Sequence, residues 1–207
     1  MQISIISDTH NEHEKLGPLS GDVLIHCGDM FNLFREDADE LEKMDAWFGR
    51  QHFDLILCTG GNHDLALQNK LKSSSAPFSN AIYLQDQLYV HKGVSFYGAP
   101  WTPFLRGHAF FKEDYELQRK WAKIPRETDV LITHTPPAGI LDVSSRGLKL
   151  GCEYLAEALQ DRSPRLHCFG HVHAGAGVHD TGGTRFVNAS SVNSKFELAR
   201  QPHILVL

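Results

Sequence analysis

A chain of 207 residues, 42% hydrophobic and 22% charged, has enough apolar material for a real core, which excludes an intrinsically disordered protein. Its formal net charge of −5 removes the basic face that duplex-DNA binding needs, and no apolar run approaches the roughly 18–20 residues that span a bilayer. The unusual number is 13 His beside 25 Asp and Glu, which directs the search toward metal chemistry.

The chain opens Met1-Gln2-Ile3-Ser4-Ile5-Ile6-Ser7 and meets Asp8 at once, with neither a basic leader nor a small-residue cleavage site, so no secretory signal is expected. Cys27, Cys58, Cys152 and Cys168 lack C-x-x-C spacing and read as buried thiols of a reducing, cytoplasmic compartment. In chain order, residues 2–7 and 22–27 are short Ile/Leu/Val-rich runs that predict strands. Residues 35–50 predict a helix with Leu41, Met44, Trp47 and Phe48 on one face. Residues 54–59 predict a third strand, and Ser73-Ser74-Ser75 a loop. Residues 81–101 alternate apolar and polar around Asp86-Gln87 and His91-Lys92-Gly93, which predicts a meander of hairpins. Amphipathic spacing returns at 111–123 and 148–159, with strands at 129–133 and 165–169. Residues 185–188 and 204–207 add two more strands around a Ser/Asn-rich turn. Near-continuous apolar strands suit a sheet covered on both faces, and no linker or repeat divides the chain. One α/β domain over residues 1–207 is expected.

Position is the informative property of the polar residues. Strand 2–7 runs into Asp8-Thr9-His10, and 22–27 into Gly28-Asp29. Strand 54–59 runs into Gly60-Gly61-Asn62-His63-Asp64, 129–133 into His134, and 165–169 into Gly170-His171-Val172-His173. Ligands of parallel α/β sheets bind at that C-terminal edge, and the glycines let backbone approach a bound group closely. Asp8 and His10 are two residues apart, so extended backbone would point both side chains one way; His171 and His173 repeat the spacing. With Asp29, Asn62 and His134 the set holds two carboxylates, one amide oxygen and four imidazoles. One ion rarely takes so many donors, whereas two ions sharing a carboxylate use them all. Two divalent cations about 4 Å apart repel by about 16 kcal/mol at an effective dielectric of about 20, so an anionic bridge is required, and Asp29 with a hydroxide would supply it. Such a donor set suits Mn²⁺, Fe or Zn²⁺ better than Ca²⁺.

The ordered set D-x-H, G-D, G-N-H-D, a lone His and G-H-x-H resembles the calcineurin-like metallophosphoesterases. Gly98-Ala99-Pro100-Trp101-Thr102-Pro103, Thr133-His134-Thr135-Pro136-Pro137 and Val187-Asn188-Ala189-Ser190 extend the resemblance to the smaller metallophosphoesterase-domain branch. The resemblance implies a four-layer αββα sandwich with two mixed sheets. It implies that Asp8, His10, Asp29 and His173 hold one divalent ion and Asp29, Asn62, His134 and His171 a second, manganese first, iron or zinc as alternatives. His63 matches the family's non-ligating catalytic histidine. The position three residues after the bridging Asp is Asn32, where the protein-phosphatase branch carries the Asp that orients this histidine.

The function expected is hydrolysis of phosphodiesters by a metal-activated hydroxide, on nucleotides, cyclic nucleotides or simple organic phosphates. Protonated His63 would protonate the leaving oxygen or stabilise charge on phosphorus. The alternatives are a phosphomonoesterase or nuclease of the same superfamily, or a non-catalytic metal-binding scaffold. Neither a stable nucleic-acid complex nor a membrane partner is expected. Trp101 is a candidate substrate-binding platform, with core packing as its other reading. Asp64 reads as a turn or helix-start residue, and His26 and His167 as packed or edge residues of strands. Arg146 and Lys149 read as solvated charges at the start of a helix, and His13, His52, His91, His108, His179 and His203 have no motif context.

Overall fold

The structure is a computed structural model and describes residues 1–33, 39–74 and 76–207. The elements run β1 (Gln2–Ile6), β2 (Ser20–His26), α1 (Glu40–Gly49), β3 (His52–Cys58), α2 (Leu65–Lys70), β4 (Ile82–Tyr83), β5 (Gln87–His91) and β6 (Val94–Ala99). They continue with α3 (Asp114–Trp121), β7 (Val130–Thr133), α4 (Glu153–Ala158), β8 (Leu166–Phe169), β9 (Gly177–Thr181), β10 (Thr184–Asn188) and β11 (His203–Val206). One sheet has the order β11-β1-β2-β3-β4, with β1 to β4 parallel and β11 antiparallel at the edge. The other has the order β5-β6-β7-β8-β10-β9, parallel from β6 to β10 with an antiparallel strand at each edge.

The period of two in the strands divides their side chains between two apolar clusters. Ile3, Ile5, Val23, Ile25, Leu55 and Leu57 of the first sheet share one cluster with Phe96, Val130, Ile132, Leu166, Cys168 and Val187 of the second, so the sheets pack face to face. The alternate residues Ile6, Leu24, Ile56, Tyr97 and Leu131 belong to the other cluster, with Met44, Trp47 and Phe48 of α1, Leu117 and Trp121 of α3 and Leu155 of α4. The result is the αββα order of layers. The two sheets are joined at the C-terminal edge of their parallel strands, where Ser7 bridges Ser190. Among the described residues no helix is long and apolar enough to cross a membrane.

Several predicted elements change. The helix predicted over 35–50 is seen as α1, and residues 35–38 at its start lie outside the described residues, as does Ser75. The helix predicted over 148–159 begins only at Glu153, because the preceding chain is extended and bridges Val143 to Lys149 and Pro137 to Cys152. Arg146, in the turn at the tip of that excursion, and Lys149, in its returning arm, are therefore exposed and not at a helix start. The meander is split between sheets: β4 adds parallel to β3, while β5 and β6 form a hairpin in the other sheet. Lys92 (φ 48°) and Gly93 (φ 79°) close that hairpin, both left-handed as a two-residue type I′ turn requires. Helix α2 and edge strand β9 had no periodic apolar signal; most of β9 is exposed and polar.

Candidate metal centre

The chain leaves β1, β2 and β8 through tight turns rather than extended backbone. Asp8, His10, Asp29 and His171 have φ of 51°, 43°, 53° and 68°, in the left-handed region that side chains other than glycine visit rarely. The expected extended geometry of Asp8/His10 and His171/His173 is thus corrected: the pairs converge through turns. Backbone bonds between strand ends hold these turns, with Asp8 N–H donating to the Gly28 carbonyl at 2.9 Å and His10 N–H to that of Asp29 at 3.1 Å. At positions 61 and 170 the close approach requires glycine. A Cβ on Gly61 would lie 2.3 Å from Asp29 Oδ1, and one on Gly170 would lie 2.0 Å from Asp8 Oδ2.

The donor atoms fall into two groups able to hold a metal ion, Asp8–His10–His173 and Asp29–His134–His171, with His10–Asp29–His63 overlapping them. His173 Nε2 lies 3.4 Å from Asp8 Oδ1 and 3.4 Å from His10 Nε2. Asp29 Oδ2 lies 3.3 Å from His134 Nε2, 3.8 Å from His10 Nε2 and 4.0 Å from His63 Nε2, between the two groups. Asn62 Oδ1 joins the second group at 3.0 Å from His134 Nε2 and 2.8 Å from His171 Nδ1. All seven side chains singled out by their place at strand ends are therefore brought together, with His63 at their edge.

The hydrogen bonds behind these groups decide which imidazole nitrogen faces inward. His10 Nδ1–H donates to the Phe31 carbonyl at 3.0 Å, His134 Nδ1–H to that of Cys27 at 2.9 Å, and His173 Nδ1–H to that of Asn193 at 3.1 Å. Each turns its Nε2 into the centre. Nε2 of His10 and Nε2 of His173 lie 3.4 Å apart, so that one cation could take both. Oxygen and imidazole donors without a thiolate fit Mn²⁺, Fe or Zn²⁺, so the residues present fit a divalent ion. The Asp8 carboxylate is oriented by Ser190 Oγ–H at 2.8 Å and by the His171 amide, which lies 3.0 Å from both oxygens. Asn188 Nδ2–H donates to the carbonyls of Val172 at 2.9 Å and Leu141 at 3.1 Å, fixing the turn between His171 and His173. Ser190 and Asn188 entered the sequence reading only as part of a resembling block.

The electrostatics are those of a buried pair of anions among imidazoles. Burial pushes both carboxyls up, but His173 beside Asp8, and His134, His63 and His10 around Asp29, hold both below the usual carboxylate range. Burial lowers His10 to about 4 and His171 to about 3, which keeps them neutral. At His134 burial is outweighed by the charge and hydrogen bond of Asp29, and the imidazole is raised to about 9. A site that attracts a proton this strongly also attracts a metal cation.

Among the described residues no carboxylate bonds the Nδ1 of His63. The Leu33 N–H donates to its Nδ1 at 3.3 Å, and the His63 backbone N–H donates to Asp29 Oδ1 at 2.7 Å. Asp64 precedes α2 but does not cap it; its buried carboxylate accepts from Asp29 N–H at 2.9 Å, Gly61 N–H at 2.8 Å and Phe31 N–H at 3.1 Å, stapling the turns after β2 and β3 together. His26 and His167 are fully buried and bond Thr9 Oγ1 at 3.0 Å and Thr133 Oγ1 at 2.9 Å. Trp101 is corrected as a substrate platform: it is 5% exposed, its indole N–H donates to Asp86 Oδ1 at 2.6 Å, and the Lys120 ammonium covers its ring at 3.9 Å. Sequence reasoning missed Phe196, whose ring stands 4.8 Å from His10, 5.4 Å from His173 and 5.9 Å from His63, and His108, 6.1 Å from His63. An apolar residue isolated in a polar turn was the available signal.

The chain also resembles known proteins in sequence and fold. The family model described as calcineurin-like phosphoesterase matches residues 1–175. The chain is 34% identical over 228 residues to human metallophosphoesterase domain-containing protein 1, covering 98% of this chain and 69% of that one. It is 35% identical over 222 residues to UPF0046 protein C25E10.12 of Caenorhabditis elegans, covering 96% and 78%. The crystal structure of TT1561 of Thermus thermophilus shares the fold, with a TM-score of 0.62 at 13% identity over 90% of this chain and 88% of that one.

Proposed function

The chain belongs to the calcineurin-like phosphoesterase family, and on that premise we propose that it is a phosphoric ester hydrolase that uses two divalent ions and prefers phosphodiesters of small organic groups. Nucleotides, cyclic nucleotides and simple organic phosphates are the substrate class. The observation that carries the reading is Asp29, whose Oδ2 lies 3.8 Å from His10 Nε2 on one side and 3.3 Å from His134 Nε2 on the other. In this reading Asp8, His10, Asp29 and His173 hold one ion, and Asp29, Asn62, His134 and His171 the other. Manganese is the ion proposed, with iron or zinc as alternatives, from the oxygen and imidazole donor set.

When bound, the ions lower the pKa of water to supply a nucleophile near neutral pH and withdraw charge from the phosphoryl oxygens. The chain's residues do the positioning. Carbonyls of Phe31, Cys27 and Asn193 fix the imidazole rings, and Ser190 with the His171 amide fixes the Asp8 carboxylate. His63 presents its Nε2–H beside Asp29 and donates to a phosphoryl or leaving oxygen. A net charge of −5 supports small esters over nucleic acid, and four buried free thiols support a reducing cytoplasm.

The test is metal analysis of the reconstituted chain followed by turnover of bis(4-nitrophenyl) phosphate and 4-nitrophenyl phosphate. Two ions per chain and faster diester hydrolysis are expected. Turnover of the monoester alone keeps the hydrolase and overturns the diester preference. Two ions with no turnover of a broad ester panel would leave a metal-binding scaffold.

A further inference from the structure

Residues 193–197, Asn-Ser-Lys-Phe-Glu, form a polar turn carrying one large apolar side chain. Asn193 builds it: its Oδ1 accepts from Lys195 N–H at 2.8 Å and Glu197 N–H at 3.2 Å, and its carbonyl accepts from Phe196 N–H at 3.0 Å. The same carbonyl accepts from His173 Nδ1–H at 3.1 Å, which ties the turn to the metal centre. Phe196 itself is left-handed, with φ of 61°, a conformation that costs an L residue roughly 1–2 kcal/mol. The turn holds it there, and its ring comes within 6 Å of three imidazoles of the centre, His10, His63 and His173.

Against those imidazoles on one side, Phe196 keeps 41% of its surface exposed on the other, open to whatever sits over the centre. Beside His63 stands a second element, the 103–110 segment, which brings His108 to 6.1 Å from the His63 ring and is tied to Asn62 by the Ala109 N–H, donating to the Asn62 carbonyl at 3.1 Å. Trp101, in the same part of the sequence, is buried and offers no face. Phe196 thus leaves aromatic surface exposed beside the two donor groups.

We infer that Phe196 is a substrate-contact residue, and that its exposed ring packs against the organic group of the phosphate ester, selecting esters with a flat π face such as a nucleobase or aryl ring. The inference rests on the phosphoesterase reading and names a specificity element within that site. Stacking on an aromatic side chain changes affinity by roughly five- to 150-fold per base, and a sugar or inorganic phosphate gains nothing from it.

The experiment is calorimetric titration of the full chain, loaded with Mn²⁺ to equal metal content, with adenosine 5′-monophosphate, ribose 5-phosphate and inorganic phosphate. Phe196→Ala is expected to lose roughly five- to 150-fold in affinity for the nucleotide, with the other two ligands unchanged. Phe196→Tyr, which keeps the ring, is expected to retain nucleotide affinity. Nucleotide affinity unchanged in Phe196→Ala overturns the inference and leaves the phosphoesterase reading standing. Equal weakening for all three ligands also overturns it, because the ring would then act on the metal centre and not on the base. Wild-type protein that binds none of the three at millimolar concentration overturns the phosphate site itself, and the inference with it.

Discussion

The Leu33 amide donates to Nδ1 of His63 at 3.3 Å, so the proton of that imidazole sits on Nε2, facing the metal centre. Protonating Nδ1 would set two N–H groups against each other, and burial lowers the His63 pKa as well. In this tautomer His63 offers its Nε2–H as a hydrogen-bond donor to the centre. His63→Ala should keep its metal ions and lose about 10²–10³-fold in single-turnover rate, the usual cost of one donor to developing charge. The loss should be equal on alkyl and nitrophenyl esters. A much larger loss on the alkyl ester would show that His63 protonates the leaving oxygen.

Asp29→Asn should damage metal binding more than any other change of a donor residue. In the proposed two-ion site the carboxylate between the two donor groups would offset repulsion between neighbouring cations, and an amide would supply no such charge. Elemental analysis should find fewer than two ions per chain, with turnover lost in proportion. Retention of two ions and a near wild-type rate would remove Asp29 from the bridging position.

Asp64→Ala should act on stability before chemistry. The carboxylate accepts from three buried or half-buried amides, those of Asp29, Phe31 and Gly61, and each unpartnered amide costs about 1–3 kcal/mol. Urea unfolding of the metal-free protein should therefore show a loss of at least about 3 kcal/mol. A loss below about 1 kcal/mol would mean that the amides find other partners.

Acid should destabilise the metal-free fold through its buried neutral histidines. Burial lowers His167 to about 3, against 6.5 for an ordinary histidine. Between those values the unfolded chain binds a proton that the folded chain refuses, so stability is complete above about 6.5 and falls with pH by about 1.4 kcal/mol per unit. His167→Gln should make stability less steep in that window by one proton's worth, read from urea midpoints at several pH values. An unchanged slope would mean that folded His167 accepts the proton after all.

The chemistry of the centre was legible in the sequence because it is local. Residue type and the end of an apolar strand can both be read along the chain, and parallel strands deliver their C-terminal ends to one edge, so Asp8, His10, Asp29, Asn62, His134, His171 and His173 could be collected without a structure. Helix α2 and strand β9 were invisible because neither carries a periodic apolar signal, and the split of β4 from the β5–β6 hairpin depends on which sheet each strand finds. Orientation belongs to tertiary structure alone. The carbonyl that turns His134 inward is that of Cys27, 107 residues away, and the hydroxyl that holds Asp8 is that of Ser190, 182 residues away. Similar long-range packing buries Trp101 and brings Phe196 to the imidazoles, so a lone apolar residue in a polar turn, faint as a local signal, stands beside the site only through the tertiary fold.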